Sequence, residues 1–162
     1  MRRGEKAILG LVVLFVAAAA VHALMQKKGA HYSEIPFYST ATPEEASKAM
    51  DIYRSNGCKS CHSLWTVQDM MQFVPAPILD GIGSLRSESW LYAYLSSTNP
   101  QKILPSRLKQ EYQMPSYKSM PDGDRRLLAK YLASLKVKDW YLEQTRQAEQ
   151  EKLTGIKTEH AE

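Results

Sequence analysis

Two cysteines and a histidine lie within one pentapeptide, Cys58-Lys59-Ser60-Cys61-His62. A Cys-x-x-Cys pair alone is compatible with a redox disulfide, with half of a zinc site or with haem attachment, and a histidine directly after the second cysteine is typical of haem attachment. Thiols at this spacing can reach the two vinyl groups on one edge of a porphyrin, which places the following imidazole under the iron. The pentapeptide therefore predicts one covalent haem c, with thioether bonds from Cys58 and Cys61 and with His62 as the proximal iron ligand.

The two other interpretations of the cysteine pair lack supporting residues. A closed zinc site needs four ligands, and the remaining histidines, His22, His31 and His160, lie in the N-terminal segment and in the flanking segments. A thioredoxin-type Cys-x-x-Cys needs a βαβ pattern around it, and no parallel-strand pattern is visible. Haem attachment is therefore the preferred prediction.

A second axial ligand has to come from another part of the chain, and methionines downstream of the motif are the candidates. Met70 and Met71 follow His62 too closely to reach the opposite haem face easily, so we expect them to pack in the core. Met114 precedes Pro115 in a loop before the last helix of the domain, and the proline would stiffen that loop. Met120 also precedes a proline but lies against the helix start, where an apolar residue is expected. Met114 is therefore the predicted distal ligand, with Met120 as the alternative.

Helix signals predict an all-α haem domain over residues 42–137, with three main helices. Thr42-Pro43-Glu44-Glu45 combines an N-cap, a first-turn proline and a capping box, and Asn56-Gly57 ends that helix. A second helix opens at Ser87 and stops at Asn99-Pro100. A third runs from about Asp122 to Lys136, with an apolar stripe of leucines and Tyr131.

Both ends of the chain extend beyond this domain. Residues 1–28 combine Arg2, Arg3 and Lys6 with an apolar run from Ala7 to Met25. They predict a transmembrane anchor, because the run exceeds the usual signal-peptide core of about 7–15 residues; a cleaved signal peptide is the alternative. Residues 29–41 read as a linker. Residues 138–162 form a charged extension that can be helical from Asp139 to Leu153, with Gly155 as a stop.

These pieces together resemble the class I c-type cytochromes over about residues 42–137. The matching residues are the capped helix before the Cys58–His62 motif, the Pro77-Ile78-Leu79-Asp80-Gly81 loop, Met114-Pro115-Ser116-Tyr117 and the last helix. The resemblance implies a haem-centred helical fold in which the Pro77 carbonyl accepts a hydrogen bond from His62, with Pro75 as a rival because the loop is slightly long. It also implies that Tyr53 lies near Tyr131 and Leu132.

The expected function is electron transfer rather than enzymatic catalysis, since an iron held by His62 and Met114 has no open position. The anchor and tail resemble those of cytochrome subunits of bacterial respiratory complexes. They predict a single-pass inner-membrane protein with its haem domain in the periplasm, and redox proteins as partners. A tethered carrier and a fixed subunit both fit, and an open-site, gas-binding or catalytic haem is the alternative. The net charge of +4 is concentrated at the N-terminus and gives no basic stripe for nucleic acid, and no small-molecule substrate is expected.

Overall fold

The computed structural model describes residues 3–29, 35–70 and 74–157. The chain divides into two compact units, Met1–Ile35 and Pro36–Glu162. Four residues named above, Arg2, His31, Met71 and His160, lie outside the described residues.

The described residues of the first unit include helix α1 (Arg3–Gly29). Large apolar side chains between Leu11 and Val21 are exposed on it. Within the described part of the chain, however, no helix combines the length and the apolar character needed to cross a membrane. The predicted transmembrane segment is therefore not supported by the structure.

The second unit opens its helical part with α2 (Pro43–Ser55), and the predicted capping box is confirmed. The Thr42 side chain accepts a hydrogen bond from the Glu45 N–H at 3.2 Å, and the Glu45 carboxylate accepts one from the Thr42 N–H at 3.2 Å. Each bond satisfies a donor that the helix itself leaves unpaired. The helix ends at the predicted place, with Asn56 as its C-cap.

The other two main helices are α4 (Glu88–Ser96) and α5 (Asp122–Ser134), which follow the short helix α3 (Ile82–Leu85). Helix α5 packs against both α2 and α4, which is the mostly helical arrangement that the sequence predicts. The shared core includes Tyr53, Leu91, Leu95, Leu128, Tyr131 and Leu132, all buried. Short 3₁₀ turns occur at Cys58–Ser60, Pro100–Lys102, Gln110–Tyr112 and Asp139–Tyr141.

A two-stranded sheet forms where the sequence predicts the last residues of α5 and part of the linker before α2. Strand β1 (Phe37–Ser39) pairs antiparallel with β2 (Leu135–Val137), and Phe37 lies opposite Val137. Helix α5 therefore stops at Ser134 instead of continuing to Lys136. Burial alternates along β2 as expected for a strand with one face on the core: Leu135 and Val137 are buried, and Lys136 between them is half-buried.

The C-terminal extension is helical, as the sequence predicts. Helix α6 (Leu142–Thr154) follows the 3₁₀ turn Asp139–Tyr141, and Gly155 caps it in the left-handed conformation at φ 76°. Glycine adopts this conformation without steric cost, which is why it commonly ends helices.

Candidate functional site

The cysteine motif begins directly after α2. Gly57, at φ 73°, turns the chain out of the helix, and Cys58 opens the 3₁₀ turn that follows. The His62 N–H donates to the Cys58 carbonyl at 2.9 Å, so the pentapeptide closes on itself. Burial raises the pKa of both the Cys58 and the Cys61 thiol, which favours the protonated, apolar form in this environment.

His62 is positioned by the loop that carries Pro77. The Nδ1 atom of His62 lies 2.8 Å from the Pro77 carbonyl oxygen, and the Leu79 N–H donates to the Ser63 carbonyl at 3.0 Å. The bonded carbonyl is that of Pro77 and not that of Pro75, the rival considered above. Burial lowers the pKa of His62, which favours a neutral imidazole. With Nδ1–H donating to Pro77, the Nε2 lone pair is available to a metal.

Tyr53 connects α2 to the segment that follows the motif. Its hydroxyl donates to the His62 carbonyl at 2.6 Å and to the Val67 carbonyl at 3.2 Å, and its side chain is 1 % exposed. Burial raises the pKa of Tyr53, so the hydroxyl remains a donor at any ordinary pH. The contact fixes the backbone at His62 from the side of α2.

A tight turn follows at Trp65 and Thr66, both in the left-handed region, at φ 48° and 66°. Leu64 and Val67 pair across it, with N–H to carbonyl distances of 3.2 and 2.8 Å. Positive φ at both central positions is the mark of a type I′ turn, which normally takes asparagine and glycine. Two bonds from Trp65 oppose the strain: its N–H donates to the Asp80 carboxylate at 2.7 Å, and its indole N–H donates to the Tyr131 hydroxyl at 2.9 Å.

Side chains from several elements hold the loop that carries Met114. Gln101 donates from Nε2 to the Met114 carbonyl at 2.9 Å, and Ser116 donates to the Ser97 carbonyl at 2.7 Å. The Tyr117 hydroxyl donates to the Asn56 carbonyl at 3.4 Å, which connects this loop to the end of α2 just before the cysteine motif. Met114 is half-buried against the core.

One apolar cavity brings most of the predicted residues together. Its walls include Cys58, Cys61, His62, Pro77 and Met114. Met120 is not among the lining residues; it is 6 % exposed and packs within the core. Met70, which was expected in the core, is instead fully exposed.

The cavity fits a large apolar group attached to the two cysteines. Its walls include aromatic and aliphatic residues from several elements, among them Trp90, Leu95 and Leu128. The Oε1 atom of Gln101, one of the lining residues, is buried and has no hydrogen-bond partner within the described residues. An ordered water commonly donates to such a buried acceptor.

The structure also brings to the cavity residues that the sequence did not suggest. Arg86 and, from α6, Glu149 and Leu153 line it. A signal for α6 was present in the extension, because Leu142, Thr145, Glu149 and Leu153 recur at helical spacing on one face. Arg86 has no comparable signal, since an isolated arginine after a short helix is an ordinary surface residue.

Lys59, beside the motif, forms an ion pair with Asp69 at 2.9 Å. Asp69 also accepts a hydrogen bond from the Ser60 hydroxyl at 2.9 Å. The bonds from Lys59 and Ser60 lower the pKa of this carboxylate. Both side chains of the pair are partly exposed, so it holds the loop close to the motif without burying charge.

In comparison with known protein families, the family model described as Cytochrome c matches residues 46–136. This span is more than half of the chain's 162 residues. It contains the cysteine motif, Pro77 and Met114, and it excludes α1 and α6. No curated protein and no solved structure matches the chain.

Proposed function

The chain belongs to the cytochrome c family, and from this membership we propose that it transfers electrons through one haem c held by Cys58, Cys61, His62 and Met114. The cofactor of the family is covalent haem c, which supplies an iron that changes between the ferric and ferrous states. The observation that carries the proposal is that both thiols, the imidazole and the Met114 side chain line one apolar cavity.

The proximal side depends on His62. Its hydrogen bond to Pro77 holds the imidazole in one orientation and one tautomer. The Tyr53 hydroxyl fixes the backbone of the same residue. An imidazole held in this way can remain in place while the iron changes charge, which keeps the reorganisation on electron transfer small.

The distal side is assigned to Met114 rather than Met120. Met114 lines the cavity and its carbonyl is held by Gln101. Met120 is buried in the core at the start of α5. A methionine ligand raises the reduction potential of a haem and closes the sixth position, which favours electron exchange over ligand binding.

The test is the near-infrared sulfur-to-iron band of the ferric full-length holoprotein, compared among wild type, Met114→Ala and Met120→Leu. We expect the band in wild type, its loss in Met114→Ala and its retention in Met120→Leu, a nearly volume-conserving change. A band that survives Met114→Ala would contradict the assignment of this ligand. A high-spin wild type that binds carbon monoxide would instead show an open haem site.

The proposal includes a location at the inner membrane. Residues 1–28 would hold the protein at the inner membrane with its haem domain in the periplasm. The basic N-terminus and the exposed apolar side chains of α1, such as Phe15 at 80 %, support an association with the membrane. Fractionation that leaves the full-length protein soluble after cell lysis would contradict it.

A redox protein would dock over the exposed haem edge through a small interface, either transiently or within a respiratory complex. Tyr141 packs edge-to-face on Phe37 at 5.7 Å, whereas its neighbour Trp140 is 54 % exposed. A large aromatic side chain left exposed next to a packed one supports docking of a partner near α6. Sizing in mild detergent distinguishes a fixed subunit, which co-elutes with partner chains, from a free carrier. Trp140→Ala should weaken any such co-elution.

A further inference from the structure

Helix α6 lies outside the residues matched by the family, yet it contributes to the cofactor cavity. Glu149, Lys152 and Leu153 are among the lining residues. The helix is held at both ends: the Thr145 side chain lies against Gly81, and the Arg107 guanidinium donates to the Lys152 carbonyl at 3.3 Å. The extension is therefore one side of the cavity rather than a separate appendage.

A partly buried ion pair lies at this side of the cavity. Arg86 and Glu149 approach to 3.1 Å, and their side chains are only 23 % and 10 % exposed. Arg86 also stacks over the Trp90 ring at 5.0 Å and donates to the Leu85 carbonyl at 3.0 Å, so the guanidinium keeps other contacts if the carboxylate is removed. Charges that are partly removed from water interact more strongly with their surroundings than exposed charges do, because the effective dielectric constant around them is lower.

The same helix carries a second ion pair that serves as a matched control. Arg146 and Glu143 approach to 2.9 Å, but their side chains are 58 % and 62 % exposed. Neither residue lines the cavity. The two pairs therefore differ in burial and in position relative to the cavity, while their chemistry is the same.

We propose that α6 forms a wall of the haem site and that Glu149, paired with Arg86, is a positioning residue that sets the reduction potential of the haem. The inference rests on the proposed function, since it requires a haem in the cavity. The ferric haem carries one more positive charge than the ferrous haem. A carboxylate in the cavity wall would therefore favour the ferric state, and a guanidinium there would favour the ferrous state.

The test is the midpoint potential of the full-length holoprotein in four single variants, namely Glu149→Gln, Arg86→Gln, Glu143→Gln and Arg146→Gln. We expect Glu149→Gln to raise the potential and Arg86→Gln to lower it. Each shift should correspond to at least a threefold change in the redox equilibrium constant, which is about 30 mV, because a tenfold change corresponds to 59 mV for one electron. The two exposed controls should shift the potential by less than half as much.

Two results would overturn the inference: shifts in the Arg86 and Glu149 variants no larger than those in the controls, or shifts of these two variants in the same direction. The second result would mean that loosening of α6, and not charge, alters the haem. If Glu149→Gln does not accumulate, the comparison of the midpoint potentials of Arg86→Gln and Arg146→Gln is sufficient to test the inference. Haem content is measured in every sample, so a wild type without covalent haem would reject the proposed function, whereas haem-loaded variants with unchanged potentials reject only the role of Glu149.

Discussion

Removal of the Tyr53 hydroxyl tests whether α2 fixes the backbone that carries His62. In Tyr53→Phe the ring keeps its volume, so no cavity forms and the cost comes from hydrogen bonding alone. The Val67 carbonyl still accepts from the Leu64 N–H at 3.2 Å, whereas the His62 carbonyl loses its donor at 2.6 Å. A buried acceptor left unpaired costs about 1–3 kcal/mol, and we expect about 1–2 kcal/mol because one of the two acceptors keeps a partner.

Urea unfolding of the holoprotein measures this loss. With a slope of about 2 kcal/mol per molar urea for a small domain, the midpoint should fall by roughly 0.5–1 M with an unchanged slope. Tyr38→Phe is the control, because that residue is 43 % exposed and does not line the cavity, and surface changes usually stay within about 0.5 kcal/mol. If Tyr53→Phe lowers the midpoint no more than Tyr38→Phe, the hydroxyl does not hold the His62 segment.

Two further predictions concern the elements that surround the site. Gly83→Ala would place a Cβ 2.2 Å from the Ala133 carbonyl oxygen, so we expect the free energy of unfolding to fall by about 1–3 kcal/mol or more. Gly123→Ala is the control, because nothing lies within 4 Å of the added Cβ. We expect it to stabilise α5 by about 0.5–1 kcal/mol. An equal effect of the two substitutions in urea titrations would contradict the close approach of α3 to the end of α5. Thr42→Ala removes the capping box and should lower the free energy of unfolding by about 0.5–2 kcal/mol. Ser47→Ala, on the exposed side of α2, should leave it nearly unchanged. A larger loss of thermal stability in Ser47→Ala than in Thr42→Ala would contradict the role of the cap.

Local signals in the sequence were sufficient for the start of α2 and for the end of α6. The capping box at Thr42 and the glycine at position 155 each determine a helix end through contacts within a few residues, and both were predicted. The bond between His62 and Pro77 was implied by family resemblance, not by local chemistry. The spacing alone left Pro75 open, since a loop of that length can present either carbonyl.

The turn at Trp65 and Thr66 could not be predicted, because its residues oppose the local preference. A tryptophan and a β-branched threonine both at positive φ cost of order 1–3 kcal/mol each, and no short-range rule favours them there. The compensation is non-local: Asp80 and Tyr131 accept hydrogen bonds from Trp65 at 2.7 and 2.9 Å, and they are distant in sequence. Such a turn becomes stable only after α5 and the Pro77 loop have packed.

The pairing of β1 with β2 and the position of α6 depend on each other. Phe37 on β1 packs edge-to-face on Tyr141 at 5.7 Å, and its ring also lies against Gly81, as does the Thr145 side chain of α6. The strand that replaces the predicted end of α5 thus directs the chain toward the Asp139–Tyr141 turn and then along the cavity. Had α5 continued to Lys136, Val137 could not pair with Phe37, and the extension would leave the domain in another direction. The placement of Glu149 beside Arg86 is therefore a consequence of where α5 ends, which no local pattern in the extension could reveal.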